Sequence, residues 1–536
     1  MSLQTSFALI TDIGSTTTKA VLIKIENGVP RLVGLTHAAT TVEAPHNDVR
    51  FGIKRSILEL EKQTGVSLLI DKTEPTRLEF NSGVSYLTTS SAGGGLQILV
   101  IGLTLFDSAS SAKRAAYGAG GVILDTFAVD DKRQAMEQML AMRNLHPDMI
   151  LLCGGTDGGA ISGVLRMAEI VRIANPAPKF DSTEKLPALY AGNQDAAELI
   201  KQMISDSFDL YILPNLRPNM KTENLAPTQD KIQQLFMENV MEHAPGYAMV
   251  KPAVAREIIP TPMGVQRSLA LAAKDETRNI IAFDIGGATT DVFSYINTHS
   301  HRTVSANLGM SYSALNVLKE GGLEKVQRWL PVQISETRLR NYIGNKCLNP
   351  TSNPTTTTEF RIEHALAREA LAMSLNQHQQ MHYNTAKLGY LDRIKNGMSD
   401  KYEIIFEYEH QERKYQFTPS DIDVLIGAGG VFAHAQDPLQ SAMILIDAVR
   451  PKGITEIWID PHFITPHLGI LSELDPANAT ALLVREGITK LAIHIAPWTA
   501  RSTKKALLQV KISGESANTT LEVFPDQFHY FPAGKK

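Results

Sequence analysis

The chain has 536 residues, 43% hydrophobic and 20% charged, which supplies several globular cores and excludes a disordered polymer. Its 52 Lys and Arg stand against 56 Asp and Glu, giving a net charge of -4, and no basic cluster is interleaved with aromatics, so no nucleic acid is expected as a partner. Cys153 and Cys347 are too few for a disulfide framework or an all-cysteine iron–sulfur shell within one chain; with no signal-like start and no run of 18 apolar residues, a cytoplasmic protein that engages no membrane is expected.

The first apolar run, Phe7-Ala8-Leu9-Ile10, enters "DIGSTTTK" (residues 12–19) and leaves through "AVLIKI" (20–25), which reads as a β-hairpin with a polar, glycine-bearing turn. A strand over Leu32–Leu35 and a helix over Val49–Gly65, with Ile53, Ile57 and Leu60 on its apolar face, complete a unit of residues 1–90. Four apolar runs follow within 91–275: "LQILVIGL" (96–103), "MILLCGG" (149–155), "LPALYAG" (186–192) and "DLYILPN" (209–215). Helical patterns such as Ser110–Tyr117 and Asp195–Ile204 separate them, so the spacing predicts an inserted parallel α/β domain. Within it, "GGTDGG" (154–159) ends a strand ahead of a helical pattern. Gly154, Gly155 and Asp157 there form either an additional ligand or partner site or a plain glycine turn. Cys153 reads as a small buried residue.

A second hairpin runs from Ile280-Ile281-Ala282-Phe283 through "DIGGATTD" (284–291) into "VFSYI" (292–296). Laid on the first octet it repeats Asp12 as Asp284, Ile13 as Ile285, Gly14 as Gly286, Thr17 as Thr289 and Thr18 as Thr290, an internal repeat that predicts two similar half-domains. Helices over Tyr312–Lys319 and Glu359–His378 and the strand-to-glycine loop "VLIGAGG" (424–430) fill a second unit of 276–430; residues 431–536 read as a C-terminal extension, β-rich at its end. His378 and His382 share a helical face but lack the glutamate of a zinc-binding HExxH, so a solvated face is expected. His462 and His467, beside Asp460 in "IDPHFITPH", read as loop residues.

A polyphosphate with a divalent cation needs closely approaching backbone N–H donors, hydroxyls, a point charge and one or two carboxylates. Gly14, Ser15, Thr16, Thr17 and Lys19 supply the donors in one octet, and Gly286, Gly287, Thr289 and Thr290 in the other. Asp12, Asp284 and Asp291 supply carboxylates for metal and water, and a loop at Gly427, Gly429 and Gly430 lets an adenosine approach the backbone.

That order of motifs resembles the phosphate-1, phosphate-2 and adenosine motifs of the actin, Hsp70 and sugar-kinase superfamily. The resemblance implies an α/β fold of two actin-like ATPase (ribonuclease-H-like) half-domains closing on ATP. It implies Mg²⁺ held through water by Asp12, Lys19 reaching the phosphates, and Asp284 and Asp291 near the metal and the attacking water. More closely, "SSAGGG" (90–95), "SASSAKRAAYGAGG" (108–121), "LLCGGTDGG" (151–159), "AGNQDAA" (191–197), "DIGGATTDV" and "LGMSYS" (308–313) resemble the MutL-type (GlmL) accessory proteins of adenosylcobalamin-dependent glutamate (methylaspartate) mutase, unrelated to the mismatch-repair protein of similar name. The likeness runs through essentially the whole chain. It implies a reactivase or chaperone for adenosylcobalamin-dependent mutase subunits, possessing an ATPase motor; a small-molecule kinase and a nonhydrolytic ATP-binding scaffold are the alternatives. Which mutase is served, and the oligomeric state, the sequence leaves open.

Overall fold

The computed structural model describes residues 5–14, 17–42, 45–91, 96–119, 121–178, 185–220, 222–236, 245–274, 278–305, 307–350, 352–382, 418–497, 506–514, 517–524 and 527–531. Ser15, Thr16, 92–95 and Gly120 of the quoted motifs lie outside these residues.

The first hairpin grows into a three-strand antiparallel meander, β1 (Thr5–Ile13), β2 (Thr17–Glu26) and β3 (Val29–Ala39). The β2–β3 turn is made by Asn27 and Gly28, both at positive φ, the two-residue geometry whose twist matches the strands it joins. Strand β4 (Val84–Ser90) pairs parallel to β1, and the two-residue β10 (Ile259–Pro260) pairs parallel to β4, giving the order β10-β4-β1-β2-β3. Helix α1 (Val49–Thr64) covers this sheet, capped by the Asp48 carboxylate at one end and by Gly65 in the left-handed conformation at the other.

The second hairpin builds the same sheet again. Strands β11 (Ile280–Ile285), β12 (Thr290–Ile296) and β13 (His299–Ser305) form the meander, and β14 (Val424–Ala428) runs parallel to β11. Strand β15 (Gly453–Asp460) runs parallel to β14 and β16 (Thr489–Ala496) antiparallel to β15, in the order β13-β12-β11-β14-β15-β16. The predicted α/β class is present, and each of the two hairpins opens a sheet of the same local pattern, an antiparallel meander with a parallel strand beside its first member. Two strands of the 431–536 segment thus join the second sheet, while β10 and the helix after it carry the end of the 91–275 segment back to the first.

Between them the chain forms a parallel sheet, β5 (Gln97–Ile101), β6 (Val122–Phe127), β7 (Met149–Leu152), β8 (Pro187–Tyr190) and β9 (Asp209–Ile212), in the order β6-β5-β7-β8-β9. Its central strands are short and buried on both faces, as a doubly wound parallel sheet requires. One face shares a continuous core with the first half-domain, where Ile98, Val100 and Leu151 pack in the same cluster as Ile53 and Ile57 of α1. The other face is closed by helices α2 (Ala135–Arg143), α3 (Ser162–Ala174) and α4 (Ala197–Ile204). A separate hairpin, β17 (Leu508–Gly514) and β18 (Ala517–Val523), lies near the C-terminus.

Two helices of the second half of the chain, α5 (Thr261–Lys274) and the long α6 (Thr357–His382), lie on the second sheet or at its border. Helix α6 corrects the solvated face expected for its histidines. His378 is fully buried against the second sheet, with Nδ1 at 2.9 Å from Thr303 Oγ1 and Nε2 at 2.8 Å from Ser294 Oγ, and His382 Nε2 lies 3.0 Å from the Arg302 carbonyl and from Thr303 Oγ1. Strand hydroxyls on that face give imidazoles hydrogen-bond partners, so they pack inward at little polar cost.

The half-domains meet through α5 and a short helix, α7 (Thr465–Leu471), packed between their sheets. Val265 and Leu269 of α5 and Leu468 and Leu471 of α7 are buried with Ile10 and Val21 of one sheet and Ile280 and Ile426 of the other. Each such side chain stabilises the junction by about 1.5–3 kcal/mol. The helices touch backbone to backbone: a Cβ at Gly469 would collide with the Gly264 carbonyl oxygen.

Gly469→Ala should therefore destabilise the fold by about 1–3 kcal/mol, because the obstructing atom is backbone and cannot rotate away. Urea unfolding of the full chain measures this; an unchanged midpoint would show that the helices do not cross this closely.

Candidate functional site

The described residues of the two octets share one backbone hydrogen bond. In the first, the Gly14 amide donates to the Thr17 carbonyl at 3.0 Å; in the second, Gly286 donates to Thr289 at 2.9 Å. Each turn follows an aspartate at its strand's carboxyl end, so Asp12 and Asp284 occupy equivalent places. Their cross-strand partners differ: Lys19 stands opposite Asp12, and Asp291 opposite Asp284.

Asp12 is buried and its Oδ1 accepts from Thr89 Oγ1 at 2.8 Å and from Thr261 Oγ1 at 2.5 Å. The hydroxyls come from β4 and from the first residue of α5, which fix the carboxylate's direction. Asp284 is half-buried, and among the described residues its carboxylate makes no hydrogen bond or ion pair. Its carboxyl is pushed up to about 7, first by desolvation, then by the nearby Asp291 charge, with smaller contributions from Asp460 and Asp12 and an opposing one from Lys19. Residues from both half-domains thus act on one carboxyl, and the Phe463 ring of the second lies against Lys19 of the first, so the ends of the two hairpins lie near one another.

Asp460, at the carboxyl end of β15, is a further acid near Asp284 to which the sequence analysis assigned no role. It is buried, and it accepts from the amides of Ile464 and Thr465 and from Thr465 Oγ1, each at 2.9 Å. Burial pushes its carboxyl up and these bonds partly offset that. The same bonds hold the turn in which Phe463 sits at φ 53, a strained value for a bulky residue, with its ring 4.4 Å from Lys19 Nζ. His467, expected in a loop, is in α7 and fully buried; desolvation pushes the imidazole down to about 4, opposed in part by Asp12 and by the backbone of Phe463 and Ile464. The correction has a simple cause: the Pro-containing segment starts a helix held by Asp460, and that helix is the one between the sheets.

Asp291 is held by Arg302 on β13, whose Nε and Nη2 reach Oδ1 at 2.7 and 2.6 Å. Burial raises this carboxyl, and the Arg302 charge pulls it back.

The second loop is strapped by the "LGMSYS" segment, where the amides of Met310 and Ser311 donate to the carbonyls of Gly286 and Gly287 at 2.9 and 2.8 Å. Beside it, Gly429 follows β14 at φ 112, and a Cβ there would collide with the Ile285 carbonyl, so only glycine lets this loop sit against β11. Gly430 lines one cavity with Gly286 and Gly287, and Gly429 lies against Ile285, whereas Gly427 sits within the β14 ladder opposite Phe283, its backbone against the Phe432 ring. A cavity of about 170 Å³ opens at that junction, walled also by Phe360, His364 and the buried pair Lys346–Glu363, whose Nζ–Oε1 distance is 2.9 Å. These wall residues come from helices remote in sequence and carried no motif.

"GGTDGG" lies elsewhere, at the carboxyl end of the inserted sheet. Asp157 Oδ1 accepts from the Gln194 amide at 3.0 Å and from Asn215 Nδ2 at 2.8 Å, tying together the loops after β7, β8 and β9. Gly154 and Gly155 border a cavity of about 270 Å³ there. Cys153 is buried as expected, and desolvation pushes its thiol up to about 12.

Among the described residues, no three His, Cys, Asp or Glu side chains are grouped so as to hold a metal by themselves, and no helix is long and apolar enough to cross a membrane. The carboxylates do fit Mg²⁺ of the usual protein kind, in which one or two acids act with water and phosphate oxygens.

The family model described as MutL protein matches residues 8–486. "Protein MutL" of Clostridium tetanomorphum is 26% identical over 501 residues, covering 89% of this chain and 98% of its own length. Among solved structures, similarity is found to nucleotide-free acetone carboxylase, at 10% identity and TM-score 0.37 over 88% of this chain and 70% of that one. It is also found to the activator of the 2-hydroxyisocaproyl-CoA dehydratase from Clostridium difficile with bound ADPNP, at 10% identity and TM-score 0.29 over 91% and 99%.

The charge field on Asp284 sets a pH dependence. A carboxyl raised from its ordinary value near 3.8 to about 7 favours the folded state at low pH, and that advantage is lost as pH rises through this window. Asp284→Asn removes the effect, so its stability relative to the parent should improve by about 1–3 kcal/mol between pH 4 and pH 7.5, allowing for residual contact with cleft water. Urea titrations at both pH values measure the difference; a constant offset would contradict it.

Proposed function

The chain belongs to the MutL protein family, and from that premise we propose that it is an ATP-binding accessory protein, a reactivase or chaperone for an adenosylcobalamin-dependent mutase of the glutamate mutase type. The observation that supports this reading is the pair of turns closed by a glycine-to-threonine hydrogen bond, one in each half-domain, with the Asp284 carboxyl of the second in the field of Lys19 and Asp12 from the first.

In this reading the triphosphate lies between the turns. The amides around Gly14, Gly286 and Gly287 approach its oxygens, and Lys19 swings from the Phe463 ring to a phosphate. Bound Mg²⁺ would supply the positive charge that the phosphates and the cleft acids lack. Asp12, held by Thr89 and Thr261, orients water toward that ion. Asp284, with its carboxyl near neutrality, is suited to exchange a proton with the attacking water. The adenosine rests on Gly429 and Gly430 with its ribose toward Lys346 and Glu363. Closure on ATP would draw the half-domains together about the α5–α7 crossing, and a partner that prefers one closure state would be remodelled by the cycle.

The experiment is to mix the protein and MgATP with an inactivated, cobalamin-loaded glutamate mutase and fresh coenzyme. Activity should return only with ATP present; ATP consumption yielding a phosphorylated small molecule would favour a kinase. Asp12→Asn should weaken Mg²⁺-dependent ATP binding about tenfold to hundredfold, as loss of a charge-assisted contact does. Calorimetric titration with and without Mg²⁺ tests this, and an unaltered metal dependence would remove Asp12 from the site.

A further inference from the structure

The inserted domain shares its core with the first half-domain, yet it also touches the second. Helix Ser108–Gly118, between β5 and β6, lies against β13 and the end of α6. The contacts are polar and specific. Arg114 Nη1 donates to the Met381 carbonyl at 3.0 Å, and the Tyr117 hydroxyl donates to the Val304 carbonyl at 3.4 Å. Just past this helix, the Gly121 carbonyl accepts from Arg302 Nη1 at 3.2 Å.

Arg302 is buried, and its other edge is the one that holds Asp291 at 2.6–2.7 Å. One guanidinium therefore spans from the acidic end of the β11–β12 loop to the backbone of the inserted domain. A buried arginine with a single carboxylate needs further acceptors for its remaining donors, and here one is supplied by the other domain. If the insert withdraws, Arg302 loses an acceptor in a dry environment; if Asp291 loses its charge, Arg302 loses the partner that orients it toward Gly121.

We propose that Arg302 is a positioning residue that couples the docking of the inserted domain on the second half-domain to the placement of Asp291 in the cleft. The consequence for ATP turnover rests on the nucleotide reading above, whereas the mechanical coupling does not. Because the insert is built into the first half-domain and gripped by the second, opening of the cleft must strain this contact, and the surface of the insert can report what the cleft holds.

Amide hydrogen exchange on the full chain, first without nucleotide, tests the coupling. Arg302→Met should raise exchange of the amides of Ser108–Gly118 about tenfold, and Asp291→Asn should raise it in the same direction at the same place. The double variant should match Arg302→Met alone, since both changes act through one guanidinium. Unchanged exchange in Asp291→Asn, or additive effects, would overturn the proposal. Should Arg302→Met fail to fold, Arg302→Lys keeps the charge but can reach one partner at a time; wild-type exchange in that variant would also overturn it. In a second arm, MgATP should alter exchange of the same helix in the parent and not in Arg302→Lys, with the dissociation constant for ATP changed less than about tenfold. A parent that binds no ATP would defeat the nucleotide reading while the first arm still decides the coupling.

Discussion

The contact on which the site depends is the crossing of α5 and α7 between the two sheets, where neither Gly264 nor Gly469 has room for a side chain. Close packing of two helix backbones holds the two elements at a short separation at this one point, because backbone atoms have no rotamers to exchange. It also fixes what lies at the ends of the helices. Thr261 begins α5 and binds Asp12, while Thr465 begins α7 and binds Asp460, so the crossing holds an acid of each half-domain at the head of a helix. The helix amino ends favour negative charge at just those places.

The cleft so formed is electrostatically unfinished. Lys19 is the cation that acts on Asp284, and it works against the combined field of Asp12, Asp291 and Asp460. An acid in such a field favours its protonated form, and the Asp284 carboxyl is accordingly pushed up to about 7.

How much of this was legible in the sequence follows from the range of each interaction. The hairpins, the repeat and the parallel insert depend on apolar alternation and turn chemistry over a few residues, and both octets fold as read. The α5–α7 crossing depends on two glycines separated by most of the second half-domain, with no motif around either. Asp460 was visible as an acid before a Pro-containing stretch, and its Asp-x-x-x-x-Thr spacing into "TPH" was a helix-start signal that could have placed it. His378 and His382 misled because helix periodicity reports which residues share a face, not what that face meets; the hydroxyls of Ser294 and Thr303 that receive them lie on strands far away in the chain. The walls of the cavity beside Gly429 were invisible for the same reason.

The repeat is most informative where it breaks. Opposite the strand-end aspartate, the first copy has Lys19 and the second has Asp291, so one hairpin carries its own counter-charge and the other doubles its negative charge. A doubled buried acid is costly unless a third group answers it, and the answer is Arg302 from the next strand, opposite Phe293 in the ladder. Two copies of one hairpin have therefore come to differ in what they hold: the first keeps a cation over an aromatic ring, available to a phosphate, and the second locks its cation between an acid and the inserted domain. Only the first arrangement can exchange partners without leaving a buried charge unpaired, which is why the lysine copy suits ligand contact and the arginine copy suits transmission.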